Sequence, residues 1–183
     1  MSSTPVSFTL EPGYRGFVAG VVNADYEQRA FIQVTRDGNQ LTSATFEGQG
    51  TRVHMRDVFN NREYWSFGPF TFTATVNVTI SANNGSGSWN VSKMVGPLAI
   101  EKQPEPDYPM KFLVATVISE DRADASHDDC TIQVLQYKGD SDPSAPRHEV
   151  GTTSSEMYMY RRCLFVKSRM YSEMKDPHHE RPK

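Results

Sequence analysis

The residues best equipped for chemistry stand together in one short passage, Ser119-Glu120-Asp121-Arg122-Ala123-Asp124-Ala125-Ser126-His127-Asp128-Asp129. It places five carboxylates within ten residues, between a hydrophobic stretch and the apolar run that starts at Cys130. Two like charges about 4 Å apart repel by about 1 kcal/mol even in water, and by more near a protein surface. Such a passage either spreads into solvent or shares a cation. A hard divalent ion fits the second case: Ca²⁺ accepts about six to eight oxygens at about 2.3–2.6 Å and tolerates irregular geometry. Mg²⁺ suits a non-helical loop less well, because it demands a strict octahedron and keeps its waters. The carboxylate spacing is not that of an EF-hand. On the residues alone, a solvated acidic connection and a calcium loop both stay open.

The elements that must position this loop read as short strands. Val18–Val22, Ala30–Thr35, Leu41–Phe46, Phe70–Ile80, Trp89–Met94, Lys111–Ile118 and Thr131–Tyr137 are alternating or β-branched runs. Asp37-Gly38, between Thr35 and Leu41, supplies the positive-φ pair of a tight hairpin. Asn83-Asn84-Gly85-Ser86-Gly87 marks a second, longer turn. In Phe70–Ile80 the residues Phe70, Phe72, Ala74, Val76, Val78 and Ile80 share a face, with threonines and Asn77 opposite. That pattern predicts a half-buried antiparallel strand. No long helical period appears before residue 150, so the expected fold is all-β, an antiparallel sandwich or barrel.

Length allows one ordinary domain with a real core. Gly139–Pro146 has linker composition, which divides the chain into a body at 1–139 and a linker with C-terminal extension at 140–183. The extension contains Met157–Val166, read as an added strand or a short helix, and ends in a polar stretch with His178-His179. A net charge of -3 gives no electrostatic footprint for nucleic acid or an anionic membrane. No apolar stretch is long enough for a membrane span, and no signal peptide is visible, so a soluble, cytoplasmic or non-classically secreted protein is expected. Cys130 and Cys163 are too few for a disulfide framework and stand in no C-x-x-C arrangement.

Other candidates carry blander readings. His127 serves as a hydrogen-bonding or exposed residue of the loop, and His178-His179 make a poor metal site. Tyr64, Trp65 and Phe67 form an aromatic cluster suited to the core, with sugar stacking as the alternative. Neither a Ser-His-Asp nor a Cys-His arrangement is supported. Carboxylate pairs for glycoside hydrolysis could be picked from the loop, but nothing accompanies them. A non-enzymatic protein is expected.

Three segments in order carry a family resemblance. Phe8-Thr9-Leu10 leads to Gly16-Phe17-Val18 and Asn23; Ala44–Thr51 follows; Ser119-Glu120-Asp121 through Asp128-Asp129 comes last. Together, over roughly residues 5–139, they resemble the bacterial calcium-mediated fucose- and mannose-binding lectins. The resemblance implies a Greek-key β-sandwich of about nine strands, holding one or two Ca²⁺ ions that coordinate sugar hydroxyls. It also implies fucosylated or mannosylated glycans as partners and a homodimer. By position, Glu120 and Asp124 would chelate one ion and Asp129 would bridge both. Asp128 takes the place of an Asn ligand, and Asn23 would give its carbonyl oxygen. Asp121 would accept a hydrogen bond from the sugar, to which Asp124 and Asp129 also contribute, while Ala24 and Asp25 fill the loop that tunes sugar preference. Two departures follow. Ser126 stands where the family has a bridging Asp. Gly139 falls where the family's chain ends with a carboxylate that enters a neighbouring subunit's site, but here residues 140–183 come after it. The competing reading is a sandwich that lost sugar binding and became an interaction or structural module.

Overall fold

Apolar alternation organises the described residues into ten strands. The computed structural model describes residues 4–103, 111–121 and 129–138. In order the strands are β1 (Val6–Leu10), β2 (Arg15–Arg36), β3 (Asn39–His54), β4 (Arg56–Asp57) and β5 (Tyr64–Phe67). They continue with β6 (Ala74–Asn83), β7 (Trp89–Val91), β8 (Lys93–Lys102), β9 (Lys111–Glu120) and β10 (Cys130–Lys138). All pairings are antiparallel, and the described residues contain no helix. The expected all-β class is what forms.

The runs expected at Val18–Val22 and Ala30–Thr35 are two halves of one 22-residue strand. β2 holds both layers of the sandwich together. Its first half, Arg15–Val22, pairs with β10. Its second half, Glu27–Thr35, pairs with β6. Between them the ladder to β3 is broken, with a register shift between Ala24 and Gln28. Such an irregularity bends a strand and raises its twist, which lets one strand serve two layers. β8, β9 and β10 run as a meander, and β2 lies beside β10, giving the Greek-key order β2-β10-β9-β8.

The Asp37-Gly38 turn forms as the residues dictate. Arg36 faces Asn39, and both turn residues have positive φ, 50° and 81°. This is the backbone a two-residue hairpin needs to match strand twist. The 83–87 turn joins β6 to β7, with Asn83 opposite Trp89. In β6 the face Ala74, Val76, Val78, Ile80 is buried; Phe70 and Phe72 precede the strand and pack against the core from outside it. One apolar cluster joins both layers, including Ile32, Phe46 and Val78 from one side and Val18, Val117 and Ile132 from the other. Phe46 is fully buried, and truncating such a side chain costs about 3–5 kcal/mol.

The aromatic cluster proves structural. Tyr64–Phe67 form a strand that was not expected, paired with Gly16–Ala19. Phe67 is in the core and Trp65 packs on it, with ring centroids 4.7 Å apart. Tyr64 stacks on Phe17 at 5.2 Å. Cys130 is buried, its Sγ 3.5 Å from Met55 Sδ. Cys163, His127, His178-His179, the 157–166 segment and the whole 140–183 extension lie outside the described residues. Among the described residues no helix is long and apolar enough to cross a membrane.

Candidate functional site

The acidic passage connects adjacent antiparallel strands. Its last rung is Ser119 opposite Cys130, so Glu120, Asp121 and Asp129 stand at the two ends of the loop. Strand pairing therefore brings together carboxylates that are up to nine positions apart in sequence. Oxygens of Glu120, Asp121 and Asp129 all lie within 4.8 Å of one another. Glu120 is buried, at 2% exposure, while Asp121 and Asp129 are half-buried. Asp129 Oδ2 accepts the backbone N–H of Asp121 at 2.8 Å. The backbone N–H of Asn23, next to β10 in the ladder, donates to the Asp129 carbonyl at 2.8 Å. One hydrogen bond thus ties the β2 bend to the acidic loop.

Electrostatics agree with the crowding. The Asp129 carboxyl is held above the usual carboxylate range, chiefly because partial burial penalises its charge. The charge of Asp121 pushes in the same direction, while the Asp121 backbone N–H and Glu120 oppose it. A carboxyl that resists ionisation beside two others is one that a cation would relieve. Glu120 and Asp129 fit Ca²⁺ as hard carboxylate oxygen donors, and the Asp121 carboxylate stands within 4.8 Å of both.

Of the other residues singled out in the sequence, Ala24 is buried opposite Gly50. Asp25 is exposed in the β2 irregularity, and its carbonyl accepts from Gln49 Nε2 at 2.6 Å. Asp124, Ser126 and Asp128 lie outside the described residues. Sequence reasoning missed Gln28, whose Nε2 donates to Asp121 Oδ2 at 2.6 Å and lies 3.4 Å from the Tyr26 carbonyl. Gln28 is fully buried. The available signal was parity: Gln28 is in phase with Ala30, Ile32 and Val34, all core residues of the same strand.

The antiparallel sandwich thus gathers three carboxylates where a strand pair ends and a bent strand passes. Residues 8–138 match the model of the fucose-binding lectin II (PA-IIL) family. The chain belongs to that family, as the three sequence segments implied. Among solved structures it is similar to the Chromobacterium violaceum lectin CV2L in complex with alpha-methyl-fucoside, at 22% identity and a TM-score of 0.46, over 70% of this chain and 93% of that one. A Ralstonia solanacearum high-affinity mannose-binding lectin gives 22% identity and 0.47, over 70% and 93%. The C-terminal domain of the BC2L-C lectin from Burkholderia cenocepacia gives 20% and 0.45, over 74% and 97%. With TM-scores below 0.5 these likenesses add nothing to the assignment, which rests on the match over residues 8–138. No curated protein sequence matches the chain.

Proposed function

We propose that this protein is a calcium-dependent lectin for fucose- or mannose-type sugars, and that it catalyses no reaction. The supporting observation is the convergence of Glu120, Asp121 and Asp129 in a chain of the fucose-binding lectin II family. Glu120, Asp124 and Asp129 would hold the metal, joined by Asp128, Ser126 and the Asn23 carbonyl if a second ion binds. Bound Ca²⁺ would neutralise the cluster and offer coordination positions to sugar hydroxyls. The chain's own residues supply orientation. Asp121 accepts a hydroxyl of the sugar, and Ala24 and Asp25 shape the wall that selects among sugars. Monosaccharide affinity from one such site is modest, so a homodimer belongs to the proposal: a second linked site adds avidity of about 10²–10⁴.

Isothermal titration with methyl α-L-fucoside and methyl α-D-mannoside, in Ca²⁺ and again in chelator, tests the reading. Binding heat for at least one glycoside in Ca²⁺, abolished by chelator, is expected. No heat for either sugar at saturating Ca²⁺ would overturn it and leave the interaction module as the function.

A further inference from the structure

We propose that Gln28 is a positioning residue for sugar binding: its carboxamide N–H, donated to Asp121 Oδ2, fixes the angle at which that carboxylate meets the sugar. The inference rests on the lectin reading above and adds to it a residue from a different strand.

Gln28 stands where β2 resumes its pairing after the irregularity that begins at Ala24, opposite Gly48 on one side and Ala82 on the other. Its parity sends the side chain inward, and it is fully buried. At the end of that side chain Nε2 is 2.6 Å from Asp121 Oδ2. A hydrogen bond to an ionised acceptor at this length is of the strong, directional kind. Asp121 is thereby held at two points from two directions. Its backbone N–H is tied to Asp129, and its carboxylate to β2. A binding carboxylate must be locked by such supporting bonds, because a loosely held one loses orientation at the moment of capture.

Packing alone does not account for a glutamine here. Gln28 Oε1 is buried and has no partner among the described residues. A buried acceptor left unpaired lowers stability, and an apolar side chain of equal length would remove that cost. What an apolar residue could not supply is the donor to Asp121. One half of the amide is left unpaired while the other serves Asp121, which is the pattern expected where a local rule yields to a site.

Gln28→Met, which keeps the length, and Gln28→Leu separate the roles. Each is compared with the wild type by titration with Ca²⁺ alone, then with methyl α-L-fucoside or methyl α-D-mannoside, whichever the wild type binds, at saturating Ca²⁺. Thermal melting without metal is recorded alongside. The expected result is Ca²⁺ affinity within about threefold of wild type, melting not lowered in Gln28→Met, and sugar affinity weakened about tenfold or more. Sugar affinity unchanged in a folded variant would overturn the proposal alone. So would Ca²⁺ and sugar affinity falling together, or failure of both variants to fold, since each makes Gln28 a framework residue. A wild-type protein that binds Ca²⁺ but neither sugar overturns the lectin reading and this inference together.

Discussion

Asp129 closes the acidic loop on Asp121: its carboxylate accepts the Asp121 backbone N–H at 2.8 Å, joining residues on either side of the last β9–β10 rung. The side chain thus has a structural partner that requires no metal, and this role can be separated from the proposed metal-binding one by substitution. Asp129→Asn keeps an acceptor and removes the charge; Asp129→Ala removes both.

Both variants should lose calcium-dependent stabilisation and sugar binding while remaining folded. In the wild type, Ca²⁺ at a hundred times its Kd should add about 2.7 kcal/mol. Asp129→Asn should melt no lower than the metal-free wild type, since one of three crowded charges is gone. Asp129→Ala should cost about 1 kcal/mol more through the lost hydrogen bond. Differential scanning fluorimetry with and without Ca²⁺ checks all three, and sugar binding retained in Asp129→Ala would refute the site assignment.

The raised Asp129 pKa fixes the sign of a pH effect. The folded metal-free protein holds this proton more tightly than the unfolded chain does. Its contribution to stability is fully present below the ordinary value of 3.8 and is lost as pH rises through the folded pKa. Calcium at the proposed site should act in the opposite direction, because it would have to displace that proton and would bind more weakly as pH falls through the same window. Melting curves across that window should show the metal-free loss with rising pH in wild type but not in Asp129→Asn. Equal slopes in the two would refute it.

How much of this was legible in the residues depends on range. The 37–38 turn and the buried face Ala74–Ile80 follow from local chemistry, and they formed where alternation and Asp-Gly place them. Continuity of β2 did not: Asn23–Arg29 lack an apolar period, and only pairing with β3 and β6 makes them strand. β5 was hidden because four residues carry too little period to read, so its aromatics registered as a cluster. In the site, Glu120, Asp121 and Asp129 were visible as a run of charge. Gln28 was not, because its meaning lies in a contact 93 positions away in sequence.

Gly16 illustrates a packing constraint with no sequence signature. A methyl group there would stand 2.1 Å from the ring of Phe67, its cross-strand partner. Phe67 is buried in the core and stands beside Trp65, so the ring has little room to retreat. Gly16→Ala should destabilise the fold by about 1–3 kcal/mol through overpacking. Urea denaturation measures it. A change below about 0.5 kcal/mol, the ordinary range for an uncrowded surface site, would mean the ring moves freely.

The outer face of the β8–β9–β10–β2 layer bears on the proposed homodimer. Cross-strand partners point to the same side of a sheet, so the register lines up Ile100, Val114, Leu135 and Phe17 across four strands. Leu98 and Ile100 at the edge are 53% and 52% exposed. Phe17 and Leu135 are buried, so the exposed apolar area of this face is its edge, at Leu98 and Ile100; a second copy would cover that edge, and avidity supplies a reason for one. Sedimentation velocity should therefore find a dimer. The double substitution Leu98→Lys, Ile100→Lys should give monomers whose melting stays within about 0.5 kcal/mol of wild type once the loss of assembly is allowed for, because neither side chain is in the core. Calcium affinity should not change, and binding to a multivalent glycan surface should fall by about 10²-fold or more. A monomeric wild type would leave this face unassigned and remove avidity from the proposal, whereas a dimer that survives both lysines would place the contact on another surface of the sandwich.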